Sequence, residues 1–166
     1  MVESITIMFQ VPFRKEHVFS WQKHKASVLE SLENDLDFSM SKHVPYVTSY
    51  SDKNLGKFQQ FFNLIGKYVD SNRVVECWYQ KYTRGEYHSL HNHGPIGWSA
   101  IFYATLGEGH RGTTFYSPFP DIDGSLVHRT PSVVEGDLLI FPSYLCHCFN
   151  PSDSDEERAV IAFNMK

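Results

Sequence analysis

GEYHSLHNHGPIGWSAIFYATL, residues 85–106, crowds three histidines into six positions and then turns apolar. In an extended chain alternate side chains share a face, so His91 and His93 project from the same side. That is the geometry of a chelate if a third ligand arrives from elsewhere. His88 is an odd number of residues from His91. The same alternation points it away, as a surface or supporting group.

The apolar half of the stretch sets the fold class. It is one of seven short strand-like runs beyond Asn72: RVVECWYQKY, GWSAIFYATL, GTTFYSPF, SLVHRTPSVV, EGDLLIFPS, LCHCFNP and RAVIAFNMK, parted by Gly, Pro, Asp or Ser. Such a succession describes a sandwich or closed barrel, not alternating β-α units. Upstream, ESITIMFQV reads as a strand stopped by Pro12. SWQKHKASVLESLEN places Trp21, Val28, Leu29 and Leu32 near one helix face with Ser20 as N-cap. A second helix is predicted from Lys53 to Asp70, where Leu55, Phe58, Phe61, Phe62, Ile65 and Val69 recur at helical spacing. Its aromatic stripe is read as core packing. The expectation is a mainly β domain spanning 1–166. Residues 1–72 supply a strand and supporting helices on the outer face, and 73–166 form the β core.

Composition narrows the function. With 42% hydrophobic, 15% aromatic and 20% charged residues the chain is globular, and only the tip from Ser152 to Glu157 reads as disordered. A net charge of -4 without a long Lys/Arg run argues against an extensive nucleic-acid or anionic-membrane surface. No apolar stretch approaches the ~20 residues that span a bilayer. Three cysteines make no disulfide framework, and MVESITIMFQVPF is no signal peptide, so a cytoplasmic location is expected.

The best third ligand is His147, in GDLLIFPSYLCHCFNP. Cys146 and Cys148 flank it but point away by alternation, and are read as small buried hydrophobes. Eleven residues beyond His147 comes RAVIAFN, in which Arg158, Val160, Ala162 and Asn164 share one strand face. If Ile161 and Phe163 fill the layer between sheets, Arg158 and Asn164 face the barrel interior. A buried guanidinium cannot lose its proton and needs an anion, for which a ligand carboxylate is the candidate. The plainer alternative is an exposed arginine at a strand start.

Together His91-x-His93, a distal His147 after FPS, and Arg158 eleven residues on resemble the Fe(II)/2-oxoglutarate-dependent oxygenases of the double-stranded β-helix (jelly-roll, cupin-like) fold. Within them the pattern is similar to that of the small 2-oxoglutarate/Fe(II) oxygenases related to prolyl hydroxylases. The resemblance covers about Trp78 to Asn164. It implies Fe(II) on His91, His93 and His147, with Arg158 pairing with the far carboxylate of 2-oxoglutarate. It also implies a cosubstrate pocket bordered by Tyr82, by Phe102 or Tyr103 (Tyr103 being taken), and by Asn164. O2 is the second cosubstrate, and a peptidyl residue is the first expectation for the hydroxylated substrate. One departure stands out, because the family's usual triad is H-x-D or H-x-E and here the middle ligand is His93. Either His93 completes the ligand set or only His91 and His147 bind. Glu86 would replace the missing carboxylate only if the chain bulged.

Two other readings fit parts of the pattern. A three-histidine cupin dioxygenase without 2-oxoglutarate matches Gly85, His91, His93, Gly136, Pro142 and His147, but Gly97 and Trp98 stand where its glutamate belongs. A non-catalytic metal- or ligand-binding module of the same fold would keep the histidines without turnover. His110 and His128 are given no role.

Overall fold

The computed structural model describes residues 10–38 and 45–166. Two antiparallel sheets face each other. The larger is built from β1 (Arg14–His17), β8 (Asp137–Pro142), β5 (Trp98–Leu106), β10 (Arg158–Met165), β3 (Val74–Tyr82) and β2 (Val47–Thr48), in that order. The smaller runs β4 (His88–His91), β9 (His147–Phe149), β6 (Thr114–Tyr116) and β7 (His128–Arg129). From β3 to β6 and again from β7 to β10 the chain alternates between the sheets, which is the winding expected of a double-stranded β-helix. Among the described residues no helix is long and apolar enough to cross a membrane.

The period-two pattern of the long strands sorts their side chains into two cores. On the outer face of the large sheet, Cys77, Tyr79, Ala100, Phe102, Leu138, Ile140, Ile161 and Phe163 pack beneath helix α1 (Trp21–Asp35) and helix α2 (Gln59–Ile65). Between the sheets lie Tyr82, Ile101, Tyr103, Phe115, Leu139, Phe141, Phe149 and Val160. Ile161 and Phe163 therefore do not fill the inter-sheet layer as expected. They lie under the helices, and the opposite face, with Arg158, Val160 and Ala162, lines the interior.

Helix α1 follows Ser20, whose hydroxyl makes no capping bond. The helix expected from Lys53 to Asp70 is shorter and divided. Asn54 accepts from the Gly56 N–H at 3.0 Å and starts a 3-10 turn over Leu55–Phe58, then α2 runs only to Ile65 before Gly66. Two glycines, the poorest helix formers after proline, bracket the segment. The aromatic stripe is core, as read. The strand read from ESITIMFQV lies largely outside the described residues, and β1 begins beyond Pro12. The tip from Ser152 to Glu157 is held rather than loose: Arg84 pairs with Asp155 at 2.5 and 2.7 Å, and the Glu108 N–H donates to Glu156 at 2.7 Å.

Phe61 ties the helical layer to the sheet. Fully buried, its ring centroid lies 5.1 Å from that of Phe102 and 6.2 Å from that of Phe163. Phe61→Ala should cost about 3–5 kcal/mol through lost burial and the cavity left behind. Urea denaturation checks this; a loss below about 1 kcal/mol would mean that the helices contribute little to the β core.

Candidate active site

Strands β4 and β9 pair with His91 directly opposite His147, their ring centroids 4.3 Å apart. His93 lies two residues past His91, its N–H donating to the Ser143 carbonyl at 2.8 Å and its ring 5.1 and 5.2 Å from those of His91 and His147. One nitrogen from each ring lies within 4.8 Å of the others, a cluster able to hold a metal ion. Two tautomers follow from local bonds. His91 Nδ1 lies 2.7 Å from the Ser89 carbonyl and His147 Nδ1 2.9 Å from that of Leu145. A carbonyl only accepts, so each Nδ1 carries the hydrogen and each Nε2 offers its lone pair.

The imidazoles are kept neutral. Burial pushes His147 down to about 3 and His93 to about 4, helped by the neighbouring rings, and burial lowers His91 as well. Neutral imidazole is the form that binds metal. Behind His93, Ser143 also hydrogen-bonds through its hydroxyl to Ser99, and Ser99 donates to Asn164 at 2.8 Å. Asn164 donates in turn to Glu76 at 3.1 Å. Asn164 thus braces the segment that places His93, and the structure does not bring it to the pocket around Arg158. Six residues of strand, on the order of 20 Å, separate the two.

Arg158 is 1% exposed. Its Nη2 donates to Thr113 Oγ1 at 3.2 Å, while Nε and Nη1 have no partner. Among the described residues no carboxylate pairs with it. The guanidinium lies 3.8 Å from the Phe149 ring centroid, 5.0 Å from that of Tyr82 and 5.4 Å from that of Tyr103. Tyr82 and Tyr103 therefore flank it, and of the two candidates on β5 Phe102 faces the helices instead. The same inner space is lined by all three histidines, Ile101, Val160 and Ala162. A buried, permanently charged group with donors to spare has the chemistry to receive an anion.

His88 does not point away. A bulge between His88 and His91 breaks the alternation and stacks the two rings 3.9 Å apart at 16°. His88 meets the Tyr46 hydroxyl at 3.0 Å and that of Tyr82 at 3.3 Å. No feature of GEYHSLHNH announces this bulge. Gln80 and Trp78, which also line the site, were legible as the residues sharing a β3 face with Tyr82, whereas Tyr46 and Thr113 carried no signal. Glu86 stays outside despite the bulge, its carboxylate accepting from the Thr83 N–H at 2.6 Å. Cys146 and Cys148 join no metal cluster among the described residues.

The family model described as "Putative 2OG-Fe(II) oxygenase" matches residues 76–164, more than half of the chain.

The chain belongs to this family.

It is an Fe(II)- and 2-oxoglutarate-dependent oxygenase with the double-stranded β-helix fold. Its cosubstrates are 2-oxoglutarate and O2. Solved structures share that fold at low identity. A prolyl-4-hydroxylase from Pseudomonas putida matches with a TM-score of 0.59 and 17% identity over 94% of this chain and 93% of its own. HygX from Streptomyces hygroscopicus, solved with nickel and 2-oxoglutarate, matches with a TM-score of 0.64 and 16% identity over 93% of this chain and 82% of its own. The epimerase SnoN from nogalamycin biosynthesis gives a TM-score of 0.72 and 10% identity, over 94% and 78%. No curated protein matches the oxygenase significantly.

Three imidazoles and a buried arginine suit this cofactor pair chemically. They also make the metal-free oxygenase sensitive to acid. Histidine titrates near 6.5 when unfolded, whereas burial holds His93 at about 4 and His147 at about 3 in the fold. In that window the unfolded chain binds more protons, so their contribution is complete above about pH 6.5 and is lost as pH falls from there toward the folded values. Thermal melts of metal-free protein should show Tm falling from about pH 7 to about pH 4.5, with His147→Gln flattening the slope. A wild-type Tm that stayed level across this window would contradict the burial of neutral imidazoles.

Proposed function

We propose that His91, His93 and His147 together hold the Fe(II), that Arg158 receives the far carboxylate of 2-oxoglutarate between Tyr82 and Tyr103, and that the oxygenase hydroxylates a neutral residue, a peptidyl one being the first to screen. The observation that carries the cosubstrate assignment is Arg158 itself. It is buried, without an acidic partner, with two donor nitrogens free, in the chamber that the histidines line.

Each group then has a defined task. His91 and His147 present Nε2 because backbone carbonyls hold their Nδ1 hydrogens, and His93 is placed by the Ser143 carbonyl. Bound iron with 2-oxoglutarate and O2 supplies oxidative decarboxylation to succinate and CO2, with one oxygen atom delivered to the substrate. Arg158 binds and orients the anion. Ile101, Val160, Ala162 and Phe149 exclude water from it. Three neutral ligands leave the whole divalent charge on the metal, which favours an anionic cosubstrate and also tight binding of nickel or zinc.

The substrate reading rests on the outer cavity. About 510 Å³ in volume, it opens beside His91 and His93 and is walled by Tyr46, Tyr50 and Trp78 with Thr48, Ser51, Gln80 and Asn92. It has no charged wall among its lining residues. A neutral group suits it, and likeness to prolyl hydroxylases makes a peptide the first library to screen for an oxygen-atom mass gain.

The arginine assignment is tested with Mn(II)-loaded protein under anaerobic conditions. Arg158→Lys should weaken 2-oxoglutarate binding by about tenfold or more, because lysine lacks the planar fork that grips a carboxylate with two bonds. Metal affinity should hardly change. Equal 2-oxoglutarate affinities in variant and wild type would remove Arg158 from the site and the proposal with it.

A further inference from the structure

We propose that His88 is the latch of the cosubstrate pocket: with Tyr46, Gln80 and Tyr82 it closes the space in front of Arg158, and 2-oxoglutarate is admitted only when His88 turns out of that ring of hydrogen bonds. The inference rests on the assignment of Arg158 to the 2-oxoglutarate carboxylate.

The directions of the bonds follow from the groups present. Tyr82 donates its one hydroxyl hydrogen to Gln80 Oε1 at 3.0 Å. At 3.3 Å from His88 Nδ1 it therefore accepts, so the hydrogen sits on Nδ1. Nε2 is then the acceptor for the Tyr46 hydroxyl at 3.0 Å, and Tyr46 in turn accepts from Gln80 Nε2 at 3.5 Å. Four side chains donate and accept in one circular sense. Because both nitrogens of His88 are engaged in the ring, it offers no lone pair to the metal. Its stack on His91 places it against the metal cluster as a wall rather than a ligand.

The space behind this wall is too small for the cosubstrate. The inner cavity shared by the histidines and Arg158 is about 20 Å³, room for about one water. A five-carbon dicarboxylate needs roughly five to ten times as much. Trp78, Gln80, His88, His91 and His93 border both this cavity and the outer one of about 510 Å³, so a movement at their boundary joins the two.

His88 is the wall best able to move. Val160 and Ala162 sit on a strand paired on both sides, and Ile101 on another. His88 stands on the four-residue edge strand β4, next to a bulge, held by two hydrogen bonds and a stack. Its partner Tyr46 precedes the two-residue β2 at the edge of the other sheet. Turning His88 outward breaks its bond to the Tyr82 hydroxyl, which keeps its hydrogen on Gln80 Oε1, and the Tyr82 ring stays against the Arg158 guanidinium. One movement thus enlarges the pocket in front of Arg158.

Stopped-flow tryptophan fluorescence of Mn(II)-loaded protein, anaerobic, with 2-oxoglutarate as the probe, tests the latch. Apparent affinity scales with the fraction of open protein. His88→Ala should bind 2-oxoglutarate about tenfold faster and more tightly than wild type. Tyr46→Phe, which removes the two bonds that its hydroxyl makes in the ring and nearly keeps its volume, should gain severalfold, and remains informative if His88→Ala fails to fold. Unchanged or slower association in Tyr46→Phe, with the Arg158→Lys loss still present, overturns the latch and leaves the site assignment standing. If Arg158→Lys loses nothing, the site assignment fails and the latch falls with it.

Discussion

A guanidinium buried inside a sandwich, with no carboxylate of the described residues beside it, is the constraint around which the interior is arranged. Arg158 opens the strand that runs between β5 and β3, so backbone pairing on both sides fixes where its side chain starts. Phe149, Tyr82 and Tyr103 present ring faces that tolerate a cation, and Thr113 supplies the one hydrogen bond. Two donor nitrogens remain unpaired. Each unmet buried polar group costs about 1–3 kcal/mol, and more when charged. The fold sustains that cost with the outer apolar layer, where helices cover the large sheet. In the proposed role a carboxylate bound to Arg158 would remove it, so that the stability given up by burying the charge would return as binding.

The metal cluster complements this arrangement. Its imidazoles are kept neutral by burial, and the carbonyls of Ser89 and Leu145, each two residues before its histidine, orient His91 and His147, which the register of the antiparallel pair β4 and β9 brings together. His93 comes from the turn beyond, braced by the chain from Ser143 through Ser99 and Asn164 to Glu76. Gly97 belongs to the same corner. Its φ is +98°, and a Cβ there would lie 2.5 Å from the Met165 carbonyl, so only glycine lets the turn close against β10.

What was legible in the sequence is what regular geometry transmits. Alternation put His91 with His93 and placed Arg158 opposite Ile161. Seven runs of short apolar chain implied two sheets, and the family resemblance rested on those same residues. What escaped depended on departures from regularity or on distant partners. A bulge turned His88 inward. Asn54 and the glycines at 56 and 66 divided a helix whose apolar spacing looked continuous. Asn164 shares a face with Arg158, but strand length separates them, and a shared face says nothing about distance along it. Tyr46 reaches the site only because β2 pairs with β3, a long-range event that no local pattern records.

The most direct measurement is the geometry of the complex: a crystal structure of the protein with Ni(II) and 2-oxoglutarate, grown without oxygen. The account predicts one metal bound by imidazole nitrogens of His91, His93 and His147, and the far carboxylate hydrogen-bonded to the Arg158 guanidinium through nitrogens that are now unpaired. A 2-oxoglutarate lodged elsewhere, with Arg158 still bonded only to Thr113, would contradict it.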